Sequence, residues 1–77
     1  MENESLVLDL VEWVARTPRR YEEVMDAWRT SCPRLSIWED AVDRKLVRWI
    51  DGERGEKLVT ASARGKELLA SSGRNLD

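Results

Sequence analysis

The sequence predicts a small, mostly helical α+β domain: three helices, a two-stranded hairpin and a closing helix. Three observations carry this reading. Apolar residues recur at helical spacing in two early stretches, each followed by a proline. Ser36-Ile37-Trp38-Glu39 has the S-x-x-E pattern that opens a helix. From Val47 the pattern turns to β-branched and aromatic residues around a glycine-bearing loop, and at Ser62 it returns to helix.

The first helix spans residues 5–15, "SLVLDLVEWVA". Leu6, Val7, Leu10, Val11 and Val14 form its apolar stripe, with Asp9 and Glu12 opposite. Asn3 or Ser5 supplies a cap, and Pro18 stops the helix. The second covers residues 20–30, with Tyr21, Val24, Met25 and Trp28 at i, i+3, i+4 and i+7. Glu22 and Glu23 suit the positive end of its dipole, and Pro33 forbids its continuation.

In the third helix the Ser36 oxygen is expected to accept from the Glu39 amide, while the Glu39 carboxylate reaches back to the Ser36 amide. Asp40 suits the first turn. Leu35, Trp38, Ala41, Val42 and Leu46 are expected inside, leaving Ile37, Asp40, Asp43 and Arg44 outside. The hairpin strands are expected at 46–51 and 57–61 around "GERGE". Val47 and Trp49 then share one face, Arg48 and Ile50 the other. The last helix covers 62–71, with Ser62 as N-cap, Gly65 at some cost in helix propensity, and Leu68 and Leu69 as anchor. The domain is expected over residues 1–71, and residues 72–77 as a flexible tail.

A chain of 77 residues makes one domain with a thin core. Four tryptophans and no phenylalanine point to Trp13, Trp28 and Trp38 as partly buried rings that fill it. The lone Cys32 excludes an internal disulfide and is read as a small packing residue. No apolar run approaches the ~20 residues of a membrane span. "MENESLVLDL" lacks the basic region that opens a signal peptide, so a cytoplasmic location is expected.

Catalysis has no visible machinery. Histidine is absent, no cysteine pair exists, and neither phosphate-binding glycine pattern occurs. No enzyme activity, metal, cofactor or small-molecule ligand is therefore expected. The charges are uneven. Residues 1–43 hold five basic and ten acidic groups, for −5; residues 44–77 hold eight and five, for +3; together they give the net −2. Such asymmetry is one mark of a polyanion-facing side.

The segment "LSIWEDAVDRKLVRWI" followed by "KLVTASARGKELLAS" resembles the second half of a winged helix-turn-helix domain, as in MarR-type bacterial regulators. Leu46-Val47 match the pair before the wing, and residues 59–69 match the return segment, with Ser62 in place of the usual threonine. The resemblance implies binding to double-stranded DNA and a role in transcription regulation. The third helix would enter the major groove, with Ser36, Ile37, Asp40 and Arg44 on its groove side. Arg34 would touch phosphate, and the 51–57 wing, with Arg54 at its tip and Arg48 and Lys57 beside it, would lie on the backbone or minor groove. Arg16, Arg19 and Arg20 are read first as helix-end and loop charges.

Asp40 and Asp43 repel phosphates. The alternative they raise is a winged-helix module that meets another protein or a second copy of itself.

Overall fold

The computed structural model describes residues 4–28 and 37–74. The elements are α1 (Glu4–Arg16), β1 (Arg19–Arg20), α2 (Tyr21–Trp28), α3 (Ile37–Asp43), β2 (Val47–Asp51), β3 (Lys57–Ala61) and α4 (Ala63–Ser71). The expected α+β class holds, and the hairpin and last helix lie where the pattern puts them. The expected order needs one correction. A short strand, β1, stands between the first two helices and turns the hairpin into a three-stranded antiparallel sheet, ordered β1-β3-β2. Arg19 and Arg20 pair with Val59 and Leu58. Two residues are too few to show a period, so a strand of this length leaves no trace in the pattern.

Helix α1 is the centre of the core. Its residues Val7, Leu10, Val11 and Val14 are buried, and Leu8 joins them. Leu6, expected in the stripe, is 40% exposed. The core is completed by Val24 of α2, Ile37 and Ala41 of α3, Leu46, Val59 and Ala61, and Leu69 of α4. Trp13, Trp28 and Trp38 are half-buried against it, as expected. Thr60 explains its place between apolar residues: its hydroxyl donates to the Val14 carbonyl at 3.1 Å, near the end of α1.

Both α3 and α4 close with the same hydrogen-bond pattern. Lys45 N donates to Val42 O and Leu46 N to Ala41 O, at 2.9 Å each. Gly73 N donates to Ala70 O and Arg74 N to Leu69 O, at 3.1 and 2.8 Å. Each is a Schellman cap with a left-handed residue: Gly73 at φ 82°, but Lys45 at φ 59°. Arg74 then reaches back to α1, pairing with Asp9 at 2.7 Å and Glu12 at 3.1 Å.

Ser62 caps α4 as expected, accepting from Gly65 N at 3.0 Å while donating to Lys45 O at 2.7 Å. Gly65 has a further reason to be glycine. A Cβ there would lie 2.2 Å from the Leu46 carbonyl oxygen, so the first turn of α4 rests directly on the backbone that leads into β2. Among the described residues, no helix is long and apolar enough to cross a membrane.

Candidate functional site

Ile37, expected on the open side of α3, is 2% exposed, and Val42, expected inside, is 43% exposed. The helix is rotated relative to the expected phase. The sequence pattern counts Leu46 as a helical residue in step with Val42. The chain leaves the helix at Asp43 and turns through left-handed Lys45, so Leu46 reaches the core from outside the helix and does not fix its phase. Ile37 and Ala41, one turn apart, face inward instead. Ile37 is therefore removed from the set of nucleic-acid contacts.

The remaining expected contacts are scattered. Arg34 and Ser36, and with Ser36 the capping box, lie outside the described residues, as does Cys32. Arg44 donates to both carboxylate oxygens of Glu4, at 2.8 and 3.2 Å, and stands 3.6 Å from Asp40. This fork fastens the end of α3 to the start of α1. The hydrogen bond from Arg44 holds the Glu4 carboxyl below its ordinary range, and Glu4 in return raises the Arg44 guanidinium. Lys57 pairs with Asp51 across the hairpin at 2.7 Å. Arg48 and Arg54 are exposed and have no ion-pair partner among the described residues. Arg48 is on the strand, and Arg54 is in the turn that Gly55 N closes onto Gly52 O. The hairpin as a whole is neutral, with Arg48, Arg54 and Lys57 against Asp51, Glu53 and Glu56.

The surface that stands out is aromatic. The register places Arg19, Val59 and Trp49 in one row across the sheet. Val59 in the middle is buried, while Trp49, on the outer strand, is 49% exposed. Tyr21 of α2 and Trp38 of α3 gather around it. Ring centroids are 5.6 Å apart for Tyr21–Trp38, 5.7 Å for Tyr21–Trp49 and 6.0 Å for Trp38–Trp49. Exposed Val42 extends the patch, one helical turn beyond Trp38.

No family model, curated protein or solved structure matches this chain.

Carboxylates border the patch in two rows. On α2, Glu22 and Asp26 are one turn apart beside the Tyr21–Met25 row. On α3, Glu39 and Asp43 are one turn apart beside the Trp38–Val42 row. None of these four has an ion-pair partner among the described residues. A shallow depression of about 530 Å³ is lined by Tyr21, Glu22, Glu23, Met25 and Asp26. Glu22 and Glu39 are explained by the favourable dipole of a first turn. Asp26 and Asp43 are not: they lie toward helix C-termini, where the dipole disfavours them, and each repeats the charge one turn before it. The sequence puts Trp49 on a strand face with Val47, but does not reveal the cluster. Its three rings come from three elements, and no local spacing links them.

Proposed function

We propose that this chain is a winged-helix-type binding domain that takes a protein partner on the aromatic face formed by α2, α3 and β2. The observation that carries the reading is the contiguous group of exposed Tyr21, Val42 and Trp49 around half-buried Trp38. Single exposed apolar residues are common, but a contiguous aromatic patch with a polar rim is the usual anatomy of a protein interface. The winged-helix assignment rests on the sequence resemblance, on α2 and α3 packed as consecutive helices, and on the β2–β3 hairpin that follows them.

Duplex DNA is the second reading, and Arg48 and Arg54 favour it. Their charges are exposed, and each would neutralise one phosphate. Against it stands the chemistry of α3. Its exposed side carries Glu39, Asp40 and Asp43, and Arg44, expected on the groove side, is already forked onto Glu4.

A photo-crosslinking side chain placed at Val42, and separately at Arg54, tests the choice in living cells. The protein reading expects a discrete protein adduct from position 42 that disappears when Trp38→Ala is added. Nucleic-acid adducts from both positions would overturn it in favour of DNA.

A further inference from the structure

We propose that the occupant of the aromatic face is a cationic segment of a partner protein, whose arginines lie over Trp38 and Trp49 and pair with the bordering carboxylates. The proposal rests on the protein-docking reading above and adds the chemistry of the partner.

Charge complementarity supports it. Four carboxylates border the face, Glu22, Asp26, Glu39 and Asp43, without an ion-pair partner among the described residues; Glu23 and Asp40 are already set against Arg19 and Arg44. Asp26 and Asp43 work against their own helices, and a cation brought by a partner supplies a compensation that no described residue provides.

The molecule already contains a filled example of the same unit. On the far end of the sheet row, the Arg19 guanidinium lies 4.4 Å from the centroid of the Trp13 ring. Its Nη1 pairs with Glu23 at 2.8 Å. Tryptophan face, guanidinium and helix carboxylate meet there in one place, the geometry in which a cation gains from both ring and anion. At the near end of the row the tryptophans and carboxylates are present, and among the described residues no guanidinium is paired with those carboxylates.

Other occupants fit less well. Duplex DNA and anionic lipid meet the carboxylates with like charge. A second copy docked through the same face opposes two acidic borders. A single caged ammonium ion has no room among the rings, because centroids 5.6 to 6.0 Å apart are rings already in contact.

The test uses three labelled peptides that share one amphipathic leucine pattern and carry arginine, glutamine or glutamate at the flanking positions. Binding is read by fluorescence anisotropy and by the indole N–H signals of Trp38 and Trp49. The arginine peptide is expected to bind and move both indole signals. The glutamine peptide should bind about fivefold or more weakly, and the glutamate peptide not at all. Asp26→Asn with Asp43→Asn should weaken the arginine peptide by a similar factor; both sites are exposed, so the fold is expected to survive. Equal binding of the arginine and glutamine peptides would overturn the cationic assignment and leave the docking face standing. Silence of both indoles with every peptide would overturn the proposal, while the position 42 crosslink judges the docking face independently.

Discussion

At the scale of single residues, Ile37 and Val42 decide how α3 is oriented. Their apolar character was legible in the sequence, but their sides were not, because the phase of a seven-residue helix rests on very few positions. Ile37→Ala should cost about 2–4 kcal/mol, the usual loss for a large buried aliphatic. Val42→Ala should stay within about 0.5 kcal/mol, as for an exposed site. Urea midpoints of the two variants check this, and a reversed order would restore the phase read from the sequence. Gly65 makes a second test. Helix propensity alone says that alanine should help there. The Leu46 carbonyl in the way says the opposite, so Gly65→Ala should destabilise by about 2 kcal/mol or more, measured in the same way.

At the scale of elements, the pairs of α1 with Arg44 and Arg74 fasten it to the rest of the chain, while Glu12 and Arg16 pair within it. Glu12 accepts from Arg16 at 2.8 Å and from Arg74 at 3.1 Å, and Glu4 accepts from Arg44. The hydrogen bond from Arg16, then that from Arg74, holds the Glu12 carboxyl below its ordinary range, as Arg44 does for Glu4. Groups lowered by folding stabilise the native state above their unfolded pKa and lose that contribution as pH falls through the folded one. Thermal stability should therefore decline as pH drops below about 4.3, the ordinary glutamate value. The double variant Glu4→Gln, Glu12→Gln should be less stable at neutral pH and show a flatter decline. An unchanged slope would mean that the two pairs are spectators. These long-range partners explain why the elements were legible while their fastenings were not. Helix, hairpin and the Ser62 cap are written in local spacing. Arg44 to Glu4 and Arg74 to Asp9 join residues far apart in the chain, and β1 exists only because β3 lies beside it.

At the scale of the whole molecule, the charge asymmetry sorts onto different surfaces. The acidic half presents α2 and α3 around an aromatic face, and the basic half presents a neutral hairpin with two arginines that have no ion-pair partner among the described residues. The carboxylates of α3 were visible in the sequence as an objection to DNA. The rings beside them were visible only separately, Trp38 as a core candidate, Tyr21 in a helix stripe and Trp49 on a strand face, because their meeting depends on how α2, α3 and β2 pack together. The most direct test of this account is a titration of the isotopically labelled protein with mixed-sequence duplex DNA at about 50 and about 200 mM salt, where phosphate-driven binding changes steeply. The indole signals of Trp38 and Trp49 should stay in place at both, with any weak response confined to Arg48 and Arg54. A salt-dependent shift of both indoles would put DNA on the aromatic face and contradict the account.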